Sequence, residues 1–276
     1  MKKILLVFCF FQLSIYGFAE AAPKAELWSF WLANDPASLQ VVDHHLWQEF
    51  LNHNLVPGRD GINRLTYAKI SPEDKKRLDD YLEQLTAVSV TKLKRSQQKA
   101  FWINLYNALT VKVVLDYYPV KSINDIAISP GWFVRGPWGK TLLAVEGRKL
   151  SLDDIEHRIL RPVWSDPLVH YAVNCASLSC PNLQAEAFTG ANLERLLEQG
   201  ARDYINHPRG ARFEQKRLVV SSIYKWFADD FGTADQAVIE HLKRYAAAPL
   251  RQQLQAVTKI SAYDYDWHLN DVAAAE

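Results

Sequence analysis

The stretch from Ser96 to Pro119, SQQKAFWINLYNALTVKVVLDYYP, constrains this chain most. Its residues suit a helix, but the apolar ones fall on every side rather than on one stripe. An amphipathic helix buries one face, whereas a helix apolar all round has to be enclosed. The stretch therefore predicts a central buried helix, ended by Pro119, with the rest of the chain wrapped around it. Asn104 and Asn107 stand three apart and share one face of that helix. A buried amide left unpaired costs about 1–3 kcal/mol, so both need partners. Either they tie the backbone of neighbouring loops, or they line a site.

The flanking segments read as the wrapping. SLQVVDHHLWQEFLNHNL places Leu39, Val42, Leu46 and Phe50 at helical spacing. SPEDKKRLDDYLEQL opens a second helix, with Ser71 as N-cap, Pro72 in the first turn and Asp74 completing a capping-box-like pattern. TLLAV and RKLSL flank a Glu146–Gly147 turn, a hairpin signal. Ser151 caps a helix through LDDIEHRILR that Pro162 stops, and RFEQKRLVVS is a second hairpin. DPLVHYAVN, a short apolar run, reads as a buried strand entering CASLSCP. Helices dominate and the strands are few. This predicts an α+β fold, a mostly helical single domain around a buried central helix with a small sheet. Residues 23–90 are expected to form an N-terminal helical extension and residues 91–270 the core domain.

The first residues, MKKILLVFCFFQLSIYGFAEAAP, follow the plan of a secretory signal peptide over residues 1–22. Lys2 and Lys3 are basic, Ile4 to Phe18 is an apolar run, and small residues follow at Ala19, Ala21 and Ala22. The expectation is export to a periplasm or the exterior. No later apolar run is long enough to span a bilayer. The 32 basic and 31 acidic residues give a formal net charge of +1, so no bulk attraction to nucleic acid is expected. The expected ligand is a small molecule or a peptide. Glycine-rich nucleotide loops, an H-E-x-x-H helix and a G-x-S-x-G elbow are absent in usable form, and no cofactor is expected.

The remaining chemistry gathers near VHYAVNCASLSCPNL, residues 169–183. A thiol nucleophile needs a base and a group to orient that base. Cys175 is the candidate nucleophile in a thiol-dependent hydrolase or acyl transferase. His157 or His170 is its base, Glu156 or Asn104 the orienter, and backbone amides near Ala176 and Ser177 the oxyanion donors. Strand alternation would set His170 and Cys175 on opposite faces, which favours His157. Asn107, Asn174 and Ser179 are candidate binding residues. The same cysteines admit a second outcome: a non-catalytic binding or scaffold domain braced by a Cys175–Cys180 disulfide. A zinc set of His157, His170, Cys175 and Cys180 is a weaker fit, because C-x₄-C lies at the long end of structural spacing, and no metal is expected. In the tail, YDYDWHLND carries Asp264, Asp266 and His268. It reads as a strand and turn, with Trp267 plugging the core.

AFWINLYNALT, IEHRILR, HYAVNCASLSCP and, more loosely, YDWHLN, in this order, resemble the family catalogued as domain of unknown function 547. The strong resemblance spans about residues 96–205. It implies a shared fold and brings no established reaction. The positions it picks out are Asn104, Asn107, Glu156, His157, His170, Asn174, Cys175, Ser179, Cys180 and Pro181.

Overall fold

The structure is a computed structural model that describes residues 22–131 and 134–275. The expected signal peptide lies outside the described residues, apart from Ala22. Helix α1 (His45–Asn54) leads into strand β1 (Leu55–Pro57), which pairs antiparallel with β2 (Asn63–Leu65). Helix α2 (Pro72–Thr86) starts as its sequence predicts. The Ser71 hydroxyl accepts the Asp74 amide at 3.0 Å and Pro72 fills the first turn.

Helix α3 (Arg95–Tyr117) is the enclosed centre. Every residue from Gln97 to Val111 is buried, polar ones included. The polar groups there have partners. Gln98 donates to the carbonyls of Ala33 and Val90, and the Lys99 ammonium sits 2.6 Å from Asp166. Segments from both sides of α3 in sequence cover it. Trp31, Trp47, Phe50, Leu78 and Leu85 pack on it from the N-terminal side, and Ile155, Leu160 and Phe188 from the other. Trp102 meets Trp31 edge to face at 4.7 Å, and truncating such a ring to alanine costs about 3–5 kcal/mol.

Strands β3 (Leu143–Val145) and β4 (Arg148–Leu150) form the expected hairpin. Glu146 and Gly147 both adopt positive φ, +45° and +71°, as a two-residue turn matched to strand twist requires. Next comes a π-helix, Asp154–Leu160, which continues into α4 (Arg161–Trp164). Here the structure corrects the expected stop at Pro162. That proline occupies the first turn of α4, where its missing N–H is harmless, and the helix ends instead at Ser165, φ +47°. The expected strand over 167–174 is also corrected. Pro167–Tyr171 is a 3-10 helix, because the Asp166 carboxylate caps the Leu168 amide at 3.0 Å and Pro167 pre-sets a helical φ.

A second apolar cluster forms beyond it. Helix α5 (Leu193–Ile205) packs with strands β5 (Ala211–Glu214) and β6 (Arg217–Ser221). The short helices α6 (Ile223–Trp226) and α7 (Ala228–Phe231) follow, then α8 (Asp235–Tyr245) and α9 (Ala248–Leu254). Strand β7 (Ala262–Asp264) pairs parallel with β6, which gives a three-stranded sheet in the order β5-β6-β7. The architecture is α+β, helices with small sheets. Val169, Ala172, Val173 and Ala176 belong to the core around α3, and Tyr171 to the second cluster. The cysteine segment therefore runs along the seam between two packed bodies.

Candidate thiol site

The α3 asparagines shape this segment. Asn107 donates to the Ala172 carbonyl at 2.9 Å and accepts the Asn174 amide at 2.8 Å. Asn104 makes the same paired clasp on the backbone of Phe188, at 2.7 and 3.0 Å. Of the two roles open to them, they perform the loop-tying one. Neither His157 nor His170 is among the hydrogen-bond partners of Asn104, which spends its contacts on Phe188. Asn174 closes the loop itself. Its amide donates to the Pro181 carbonyl at 2.7 Å and its oxygen accepts the Ala176 amide at 2.9 Å. Ala176 is thereby held at φ +58°, a left-handed conformation that costs a side-chain-bearing residue free energy. Its amide is also taken, so it is no free oxyanion donor.

This clamp brings the cysteines together. The sulfurs of Cys175 and Cys180 lie 3.0 Å apart, and the Cys175 amide donates to the Cys180 sulfur at 2.9 Å. A disulfide bond measures about 2.05 Å, so both residues are free thiols and the expected brace is absent. Cys175 is partly exposed and Cys180 is buried. The Cys175 sulfur also meets the Tyr265 hydroxyl at 3.1 Å and the Ser177 hydroxyl at 3.3 Å, and these two hydroxyls bond each other at 2.9 Å.

The surroundings treat the two thiols oppositely. Its hydrogen bond with the Cys180 sulfur holds the Cys175 thiol below its ordinary value. Burial opposes this, the Ser177 and Tyr265 hydroxyls reinforce it, and the charge of Glu156 works against it. Burial pushes Cys180 well above the usual thiol range, and the neighbouring Cys175 adds to the effect. The pair gives up its first proton at Cys175 while Cys180 keeps its own and donates it. Burial likewise holds the Tyr265 hydroxyl high, so it remains a proton donor.

Neither histidine is among the hydrogen-bond partners of Cys175. His157 faces the Arg161 guanidinium at 3.1 Å, and Asp153 lies 3.5 Å from its other nitrogen. His170 Nε2 meets the Asp230 carboxylate at 2.7 Å, and Arg161 meets the same oxygen at 2.5 Å. The ring of Phe227 stacks on His170 at 4.0 Å. The other nitrogen, His170 Nδ1, is buried without a hydrogen-bond partner, 3.8 Å from Glu156 Oε1. The four residues weighed as a zinc set are thus divided between two clusters. Among the described residues no group of three or more His, Cys, Asp or Glu is placed to hold a metal ion.

Ser179 does not line the thiol pair. Its hydroxyl accepts the Asp266 amide at 2.7 Å and pins the segment after β7 beside the cysteine loop. The carbonyl of His268, accepting Leu178, and the amide of Asn270, donating to Ala176, extend this pairing. Through it Tyr265, ninety positions from Cys175, reaches the sulfur. Tyr265 and Ser177 are the site residues that the sequence reasoning missed. The one available signal was that Tyr265 opens the loosely matched fourth motif, YDWHLN. Beside Tyr265 a cleft of about 470 Å³ is lined by Lys121, Ser122, Asp125, Asp266, Trp267 and His268. Trp226 and Trp267 lie 4.7 Å from the Tyr265 ring and make an aromatic border there.

Residues 90–205 match the model of the family described as "Protein of unknown function, DUF547". That stretch is a DUF547 domain. The DUF547 domain contains α3, the π-helix, the cysteine loop and α5, whereas Tyr265 lies outside the matched residues. No curated protein and no solved structure matches the chain. Among the described residues, no helix of the protein is long and apolar enough to cross a membrane.

Proposed function

We propose that this DUF547 protein is a thiol–disulfide exchange protein, with Cys175 as nucleophile and Cys180 as resolving thiol. The observation that carries the reading is the donor–acceptor pair of free sulfurs 3.0 Å apart, one partly exposed and the other buried. A depressed thiol next to a proton-donating one is the arrangement that disulfide exchange needs. The Cys175 thiolate attacks one sulfur of a substrate disulfide, and the other substrate sulfur leaves as a thiolate. Cys180 then loses its proton and attacks the Cys175 sulfur of the mixed disulfide. This releases the second substrate thiol and leaves a Cys175–Cys180 disulfide. Two electrons pass from the pair to the substrate, and an external dithiol restores the protein. The substrate is a disulfide-bearing small molecule or peptide. We further propose that residues 1–22 direct export, which would bring the dithiol to a compartment where such substrates occur.

Acyl transfer from Cys175 is the second reading. In its favour is the Tyr265 hydroxyl, a proton donor for a leaving group 3.1 Å from the nucleophile. Against it are the histidines, both paired away from the sulfur, and the Ala176 amide, already bonded to Asn174.

The deciding experiment equilibrates native protein with glutathione buffers and maps its cysteines by mass spectrometry. The expected result is a Cys175–Cys180 disulfide that forms and reverses at a defined potential, with Cys175 alkylated far faster than Cys180. Two thiols that stay reduced throughout, or a Cys175 no faster than an ordinary cysteine, would sink the exchange reading. Sequencing the N-terminus of protein recovered from expressing cells tests export, which predicts a start at or near Pro23.

A further inference from the structure

The sulfur atoms of this chain are few and gathered in one place. Its one methionine is Met1, and of its three cysteines only Cys175 and Cys180 lie beyond residue 22. Every sulfur after the expected signal peptide therefore belongs to the dithiol. Peroxides oxidise thioethers and thiols alike. A chain of this composition offers them a single target, the Cys175–Cys180 pair.

The surroundings of Cys175 suit an oxygen electrophile. Two hydroxyls flank its sulfur, Tyr265 at 3.1 Å and Ser177 at 3.3 Å, and Ser177 donates to Tyr265 at 2.9 Å. The sulfur and the two oxygens form a triangle beside a partly exposed thiol. A hydroperoxide brings two adjacent oxygens to such a site. The thiol attacks one, and the other gathers negative charge as it leaves. Fixed hydroxyl donors next to the attacking atom stabilise that charge and supply the proton it needs. Cys180 completes the arrangement. Its sulfur lies 3.0 Å from that of Cys175, buried and fixed by the Cys175 amide at 2.9 Å. A protonated thiol at that place is no obstacle to resolving a sulfenic acid, because the departing hydroxide carries the thiol proton away as water.

We propose that the protein also reduces small hydroperoxides at Cys175. The proposal shares its thiols with the exchange reading, which supplies the return to the reduced state. The Cys175 sulfur attacks the terminal oxygen of the hydroperoxide ROOH, so an S–O bond forms and the O–O bond breaks. The Tyr265 hydroxyl gives its proton to the departing oxygen and takes the one that Cys175 sheds. Thiol and ROOH have then become a sulfenic acid, S–OH, and ROH. Cys180 next attacks the Cys175 sulfur, the S–O bond breaks, and the hydroxide leaves with the Cys180 proton as water. Two electrons have passed from the dithiol to the peroxide. An external dithiol reduces the resulting Cys175–Cys180 disulfide to two thiols.

The test mixes reduced full-length protein with hydrogen peroxide and follows peroxide consumption and cysteine state by mass spectrometry. Cys175 is expected to react at least about 10²-fold faster than an ordinary protein cysteine and to end in the disulfide with Cys180. In Cys180→Ser the Cys175 sulfenic acid is expected to accumulate and to be trapped by dimedone. Tyr265→Phe is expected to slow the peroxide reaction about 10²-fold, well beyond its effect on alkylation, which needs no proton for a leaving oxygen. Thermal melts confirm that both variants fold. A wild type that exchanges with dithiobis-nitrobenzoate, yet meets peroxide no faster than an ordinary cysteine, overturns the peroxide proposal alone. So does a Tyr265→Phe that slows peroxide and alkylation equally. Rapid peroxide reduction by a protein whose disulfide no dithiol can reopen supports the peroxide step and overturns the exchange reading. A Cys175 slow toward peroxide and disulfide alike overturns both.

Discussion

Asn104 and His170 invite comparison. Both lie in quoted motifs of the DUF547 stretch, both are buried, and both were candidates for a catalytic role. The asparagine closes two hydrogen bonds on the backbone of one residue, so that both its nitrogen and its oxygen are engaged. The histidine keeps one ring nitrogen unpaired and aims it at a carboxylate. Burial alone therefore does not mark chemistry. The property that distinguishes His170 is a buried polar atom left unpaired.

This contrast is open to direct attack. The largest effect is expected from Cys175→Ser, which should reduce disulfide exchange to background while leaving the melting temperature nearly unchanged. A residual rate close to wild type would remove Cys175 from the site. Asn104→Ala should do the reverse. It strands the Phe188 amide and carbonyl, costing about 2–4 kcal/mol and lowering the melting temperature by roughly 5–15 °C, with exchange per folded molecule preserved. If it instead slows exchange as Cys175→Ser does, the contrast collapses. A smaller change is expected for Tyr265→Phe. Losing one of the three hydrogen bonds to the Cys175 sulfur should slow its alkylation at neutral pH about 2- to 10-fold, and an unchanged rate would remove Tyr265 from the site.

A separate effect concerns acid stability. Burial lowers both His44 and His241 from 6.5 to about 4, against a weaker upward pull from Asp43 on His44. The unfolded chain then binds more protons between those values, so stability is full above pH 6.5 and falls as the pH drops toward 4. Melting temperatures should decline across that window, and His241→Gln should flatten the slope. A decline just as steep in that variant would point to other groups.

Local chemistry made several elements legible. The Ser71–Pro72–Asp74 start of α2, the Glu146–Gly147 turn and the enclosure of α3 each follow from residues within a few positions of one another. The 167–174 segment misled because a short apolar run suits a strand or a buried helical turn equally. Asp166 followed by Pro167 was the cap that tipped it to helix. At the site, the motif residues were visible but their grouping was not. His157 and His170 resemble bases for Cys175 in sequence, yet Arg161 and Asp230 hold them elsewhere, and Asp230 lies 60 positions from His170. Tyr265 was out of reach for the same reason: hydrogen bonds between the 177–179 turn and the 266–269 segment set its place, and no local pattern encodes them.

That long-range clasp has a consequence for the order of synthesis. A chain made from its N-terminus presents Cys175 and Cys180 long before Tyr265, Asp266 and Asn270 exist to cover and tune them. During that interval the two sulfurs belong to an unfinished loop and lack the Tyr265 hydroxyl that later meets Cys175. Maturation of the site therefore coincides with arrival of the 265–270 segment, and a chain halted before it would carry a dithiol with altered reactivity.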